Sequence, residues 1–283
     1  MKRIYLNLKR FDVPAALGGV NRLAPAADWG RAVAAAIAPG LGKLAGQAEF
    51  AAFLPEAQLP GALAAAQAAG GALRIGCQGV AWRDVAPGGN FGAFTGQRPA
   101  AAMAALGVTD ALIGHCEERT ALGDVLASGG AAGPAAARAV NGLLNRSVRA
   151  ALARGMRVLY CIGETEDEQP AWQQVLAAQL DEGLAGLSQE EKARVAVAYE
   201  PVWSIGPGRT PADGAYIQKV ARFIKEEAGL PVVYGGGLKA ANAAELAALP
   251  EVDGGLIALT RFAGDIGFYP DEYFQIIRLY LGA

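Results

Sequence analysis

The chain has 283 residues, 53% of them hydrophobic, and a formal net charge of −2. That length suits a single α/β barrel domain, and the apolar share is enough for a sizeable core. A near-neutral charge with no basic run leaves no electrostatic footprint for nucleic acid. The longest apolar runs, such as Ala32 to Ala38, are too short to cross a bilayer. Met1 to Asn7 lacks the apolar core of a signal peptide, so a cytoplasmic location is expected. Cys77, Cys116 and Cys161 lie far apart and form no Cys-x-x-Cys pair. Neither a disulfide framework nor a zinc site is indicated.

In chain order, Ile4 to Lys9 reads as a first strand whose polar end alternates, placing Asn7 and Lys9 on one side. A Gly- and Pro-rich segment follows from Val13 to Pro25. Ala27 to Ala38 is a predicted helix broken at Pro39-Gly40. Gln47 to Leu54 is a strand, and Glu56 to Ala69 holds a helix starting near Pro60. Leu73 to Cys77 is a third strand. Gln78 to Gln97 is long for a structureless loop, and carries Trp82, Phe91 and Phe94. Pro99 to Leu106 is helical, Asp110 to Gly114 a strand, and Pro134 to Ala153 a long helix. Arg157 to Glu164 is the fifth strand with its turn, followed by a helix from Gln169 to Leu187. Arg194 to Tyr199 is the sixth strand. It ends on Glu200-Pro201, where the proline restricts Glu200 to extended backbone. Helix Ala212 to Ala228, strand Pro231 to Tyr234, helix Ala240 to Leu249, strand Gly254 to Leu259 and helix Pro270 to Leu281 complete the chain.

Eight strands alternating with about eight helices imply right-handed crossovers and a parallel sheet. With no linker in the chain, the expected architecture is one (β/α)8 barrel over residues 1–283. An open doubly wound sheet is the other solution of the same pattern. In a barrel, reactive side chains come from the C-terminal ends of strands. Asn7, Lys9, His115, Glu200 and the Gly235-Gly236-Gly237 turn all fall there. His115, the only histidine, stands at a helix start, which disfavours the imidazolium cation. A neutral imidazole can donate a hydrogen bond to a carbonyl. Successive glycine N–H groups can form a nest for phosphate. The ordinary alternatives are a structural histidine, a surface lysine and a solvated carboxylate. Together these residues suit proton transfer α to a carbonyl. There is no metal cluster or nucleotide fingerprint, so no metal or cofactor is expected.

Ala198-Tyr199-Glu200-Pro201-Val202-Trp203-Ser204-Ile205-Gly206 closely resembles the catalytic-loop signature of the triosephosphate isomerase family. Gly114-His115-Cys116-Glu117-Glu118-Arg119 resembles that family's Gly-His-Ser-Glu-Arg-Arg motif. Tyr160 to Glu164, Gly92 to Gly96, Tyr234 to Gly236 and Asn7-Leu8-Lys9 match further family stretches in the same order. The resemblance implies Glu200 as general base and His115 as neutral electrophile. Lys9 and Asn7 would be the polar support, with Glu117 pairing with Lys9 or the loop and Cys116 beside it. It implies a closing lid from Pro201 to Thr210. A homodimer built through the 78–97 loop and a small phosphorylated sugar as substrate follow from the same likeness. Phosphate contacts would come from Gly206, Gly236 and Gly237.

The chain departs from the family at the rim. Gly237 stands where the family has serine. Ala258-Leu259 occupy the end of the eighth strand, where the family has Gly-Gly, and Arg261 nearby is expected to supply a charge-assisted phosphate contact. Pro207 would stiffen the lid, and Phe11 to Pro25 is an extended segment at the same mouth. A triose phosphate is the expected substrate. A tetrulose or other sugar phosphate, an aldolase using Lys9 as Schiff base, and a non-catalytic sugar-phosphate binder are the alternatives.

Overall fold

The computed structural model describes residues 1–206 and 208–282. Its strands are β1 (Lys2–Asn7), β2 (Ala48–Leu54), β3 (Leu73–Cys77), β4 (Asp110–Ile113), β5 (Arg157–Ile162), β6 (Val195–Tyr199), β7 (Val232–Tyr234) and β8 (Gly254–Ile257). All pair in parallel, and β8 returns to β1 to close the barrel in sequence order. The open-sheet alternative is thereby excluded. The helices are α1 (Trp29–Leu41), α2 (Leu59–Ala68), α3 (Ala100–Ala105), α4 (Cys116–Ser128), α5 (Gly133–Ala153), α6 (Trp172–Gly183), α7 (Gln189–Lys192), α8 (Gly214–Ala228), α9 (Ala243–Ala247) and α10 (Pro270–Leu281).

Alternation along each strand divides the core in two. Tyr5, Phe53, Leu112, Leu159, Cys161, Ala198, Val233 and Leu256 fill the barrel interior. Their neighbours, such as Ile4, Leu6, Ile113, Tyr160 and Val197, face outward and meet the helices. The interior is therefore filled by side chains, and in such barrels the reactive residues gather at the C-terminal mouth.

Three local expectations are corrected. The helix expected to break at Pro39-Gly40 runs on to Leu41. Pro39 forfeits one hydrogen bond, but Ile37, Ala38 and Leu41 are sealed in the core. Gly40 has a packing role: a Cβ there would stand 2.5 Å from the Phe274 ring of α10. The helix expected over Gln169 to Leu187 ends at Gly183. A separate turn, α7, restarts after Ser188, whose side chain and Glu191 form a reciprocal capping box. The first strand stops at Asn7 rather than Lys9. Lys9 has a left-handed φ of 40°, so strand alternation does not set its direction.

Candidate active site

Glu200 is the first residue beyond β6 and is 1% exposed. Pro201 on one side and the β5 turn on the other hold it: its N–H donates to the Ile162 carbonyl at 2.8 Å. A Cβ on Gly163 would stand 1.8 Å from the Glu200 carbonyl oxygen, and one on Gly235 would stand 2.7 Å from its Cγ. Two glycines thus let neighbouring loops close directly on the carboxylate. Two donors face it. The Cys116 N–H donates to Oε2 at 2.9 Å, and His115 Nε2 lies 3.0 Å from Oε1. Burial pushes the Glu200 carboxyl up to about 8, against the lowering effect of the Cys116 N–H and the Lys9 charge.

His115 occupies the N-cap of α4, and its Nδ1 accepts from the Glu117 N–H at 3.3 Å. The proton of the neutral ring is therefore on Nε2, the nitrogen that faces Glu200. Burial, with the Lys9 charge in support, lowers the imidazole to about 4. The ring is neutral across the physiological range. Cys116, the next residue, is pushed up to about 12 by burial and then by the Glu200 charge, so it is a thiol and not a nucleophilic thiolate.

Lys9 follows β1 by two residues and meets the first turn of α4. Its Nζ lies 2.6 Å from Glu117 Oε1. Burial opposes ionisation of Glu117, but the Lys9 hydrogen bond and charge hold that carboxyl below its usual range. A left-handed φ at a non-glycine residue persists only where the surroundings impose it. Here Asn7 Oδ1 accepts from the Lys9 N–H at 3.1 Å. Gln78 Nε2 donates to the Lys9 carbonyl at 3.0 Å, to Phe53 O at 3.1 Å and to Asn7 Oδ1 at 3.3 Å. Gln78 is a supporting residue that sequence reasoning missed. Its one signal is its place immediately after β3.

Glu164, at the end of β5, was also unassigned. It is fully buried, and its Oε1 accepts from Tyr199 OH at 2.9 Å, Trp203 Nε1 at 2.8 Å and Tyr216 OH at 3.1 Å. Trp203 belongs to the segment after Glu200, so this carboxylate anchors that segment to the barrel. Further along, Arg209 Nη1 pairs with Glu166 at 2.7 Å. Gly206 and Gly208 have φ of 116° and 78°, conformations that glycine adopts without strain. Pro207, expected to stiffen the lid, lies outside the described residues.

The turn after β7 opens with Gly235, Gly236 and Gly237, the last at φ 98°. Ala258 and Leu259 follow β8 at the same end of the barrel, and both are half-buried. Arg261 is already engaged. Its Nε donates to Glu272 Oε1 at 2.8 Å, and its guanidinium stacks 3.7 Å from the Tyr269 ring centroid. A phosphate contact from Arg261 would have to compete with that carboxylate. The Val13 to Pro25 segment and the excursion after β8 meet each other: Arg22 donates to the Ile266 carbonyl at 3.0 Å and pairs with Asp265 at 3.3 Å.

Among the described residues, His115, Cys116 and Glu200 form the group able to converge on a metal, with ligand atoms within 4.8 Å of one another. A cation there would occupy the carboxylate. None of the helices described is long and apolar enough to cross a membrane.

The site can be compared with known proteins. The family profile described as triosephosphate isomerase matches residues 31–265. A triosephosphate isomerase of Thiobacillus denitrificans is 36% identical over 221 residues, covering 74% of this chain and 78% of that protein. One from Synechococcus sp. is 32% identical over 222 residues, covering 77% and 76%. A crystal structure of triosephosphate isomerase from Bartonella henselae superposes with a TM-score of 0.68 at 24% identity, covering 99% of this chain and 98% of that one, and shows the shared fold. The profile match begins after β1, so the placement of Asn7 and Lys9 rests on the geometry above. On the strength of the profile and of these relatives, the chain belongs to the triosephosphate isomerase family.

Proposed function

We propose that the protein is a cofactor-free aldose–ketose isomerase of a small sugar phosphate, with triose phosphate as its substrate. The observation that carries this reading is the buried Glu200 carboxyl, 3.0 Å from the Nε2 of a histidine held neutral. Ionised Glu200 removes the proton from the carbon next to the substrate carbonyl. Charge then moves onto the carbonyl oxygen. The Nε2–H of His115 donates to that oxygen and the Lys9 ammonium supplies the opposite charge, stabilising the enediolate. The His115 Nε2 proton passes to that oxygen and is replaced by the proton of the neighbouring hydroxyl, while protonated Glu200 returns its proton to the adjacent carbon, so both residues are regenerated and no redox partner is consumed. The segment from Pro201 to Thr210 closes over the substrate as a lid, hinged at Trp203 on Glu164. Gly206, Gly236 and Gly237 present backbone N–H groups to the phosphate.

Interconversion of the two triose phosphates, followed together with deuterium wash-in at the α-carbon, tests the reaction. Glu200→Asp should lower turnover by about 10²–10⁴-fold with the fold intact, and near-normal turnover would remove Glu200 as base. An aldolase would be trapped by borohydride through Lys9, and a mere binder would exchange no deuterium. The ion pair with Glu117 at 2.6 Å speaks against the aldolase, because a Schiff-base lysine needs a free amine.

A second reading is a four- or five-carbon sugar phosphate. It is favoured by Ala258-Leu259 and by the two joined excursions, which alter the rim and leave the proton-transfer residues in place. An activity screen across three-, four- and five-carbon sugar phosphates separates the two. We also infer a cytoplasmic homodimer formed through the 78–97 loop, whose tip residue Phe91 is 89% exposed. Arg154 pairs with Asp84 and donates to the Val85 carbonyl at the loop's base. Phe91→Asp should shift the mass in solution from dimer to monomer.

A further inference from the structure

The rim beside the Gly235–Gly237 turn carries a cation that the proton-transfer residues do not use. Lys239 follows the turn by two residues. Its Cε lies 3.4 Å from where a Cβ on Gly237 would stand, so the stem folds back over the glycine turn. Its Nζ lies 4.4 Å from the ring centroid of Phe262, which is half-exposed on the excursion after β8. Among the described residues no carboxylate pairs with this ammonium. The neighbouring cations are all paired: Lys9 with Glu117, Arg22 with Asp265, and Arg261 with Glu272.

An aromatic face orients an ammonium through its quadrupole but supplies no counter-charge. Lys239 is therefore positioned without being neutralised. The ring itself is held in place by the chain around it. Arg261 and Gly267 exchange backbone hydrogen bonds on either side of the excursion, Arg261 stacks on Tyr269, and Arg22 ties the excursion to the Val13 to Pro25 segment. At the end of β8, Ala258 and Leu259 are half-buried residues with a Cβ, where glycine would leave the backbone bare. The backbone N–H groups of the glycine turn bring no net charge to set against an anion, and among the described residues the cation beside that turn without a carboxylate partner is Lys239.

We propose that Lys239, held over Phe262 beside the Gly235–Gly237 turn, binds the phosphate group of the substrate and sets the preference for a phosphorylated sugar. This rests on the sugar-phosphate reading above, and the experiment keeps the two apart. Binding of inorganic phosphate to the full-length protein is measured by calorimetry, without catalysis, for wild type, Lys239→Gln, Lys239→Arg and Phe262→Leu. Loss of a charge-assisted contact should weaken phosphate binding about tenfold or more in Lys239→Gln. Lys239→Arg should restore most of it, and Phe262→Leu should fall between. In kinetics, the Lys239→Gln ratio of kcat/KM for triose phosphate over phosphate-free glyceraldehyde should drop about tenfold, mostly through KM. Phosphate binding by Lys239→Gln equal to wild type would overturn the proposal even if the enzyme isomerises triose phosphate. Lys239-dependent phosphate binding in a protein that isomerises no sugar phosphate would uphold the anion site and sink the proposed reaction instead.

Discussion

Burial of Glu200 makes a prediction about stability that does not depend on the substrate. Its carboxyl is raised from 4.5 to about 8, mainly by desolvation. Between those values the folded protein holds a proton that the unfolded chain has released. Stability from this group is therefore fully present below about pH 4.5 and is lost as pH rises through about 8. The slope is about 1.4 kcal/mol per pH unit in the middle of that window. Glu200→Gln cannot titrate, so the difference between the two proteins isolates the term. Urea unfolding at intervals from about pH 5 to pH 9.5 should show wild type losing roughly 2–4 kcal/mol relative to the variant, then no further change. Turnover supplies the matching half. Activity needs the ionised carboxylate, so kcat/KM should rise with one proton lost near pH 8. Parallel stability curves for the two proteins would refute the burial argument.

The remaining predictions concern residues that place the chemistry. Gly235→Ala sets a Cβ 2.7 Å from Glu200 Cγ, and the displaced base should lower kcat about 100-fold. Steady-state kinetics would show this, and wild-type kcat would contradict it. Gln78→Leu removes three hydrogen bonds around Lys9. It should reduce kcat/KM about tenfold or more while Gln78→Asn recovers part. A lower melting temperature with unaltered kinetics would make Gln78 purely structural. Trp203→Phe keeps the ring but loses the 2.8 Å bond to Glu164. At about 1.5–3 kcal/mol for a bond to a charged group, it should raise KM for the sugar phosphate about tenfold or more. An unchanged KM would separate Glu164 from closure.

The barrel is legible because most strands, β2 to β7, are short β-capable runs followed within two residues by glycine or proline, a signal that survives without any tertiary information. That Glu200 and His115 share one mouth is legible in the same way, as polar residues at strand ends, and the structure brings them within 3.0 Å. Helix α1 was misread at Pro39 because local punctuation was overridden by Ile37, Leu41 and the packing of Gly40 on Phe274. Helix α4 has little amphipathic pattern and no fully buried residue, so nothing in its sequence marked its length. Gln78 was missed because its partners come from β1 and β2, brought beside it only by barrel register. Arg261 stands in the sequence with no visible partner because Glu272 lies a loop away on α10 and meets it only when the excursion folds back.

The arrangement also links recognition to base strength. The Lys9 charge pulls the Glu200 carboxyl down, opposing burial. A dianionic phosphate arriving at the mouth offsets that positive charge, and the carboxylate next to the substrate becomes more basic as a result. The imidazole responds in the opposite sense. Lys9 is one of the groups that hold His115 neutral, so the same anion makes the ring easier to protonate, and only the depth of its burial keeps it neutral in the complex. A second cation at the rim resolves this conflict. If Lys239 takes the phosphate charge, Lys9, held by Glu117, keeps its charge for the enediolate oxygen, and His115 keeps its neutral Nε2–H. Loss of Lys239 should then do more than weaken binding. The phosphate would draw on Lys9, and the pH–rate profile of Lys239→Gln with the phosphorylated substrate should shift upward relative to wild type. The profile with glyceraldehyde has no phosphate to redistribute, so the gap between the two profiles measures how far the rim shields the base from the charge of the substrate.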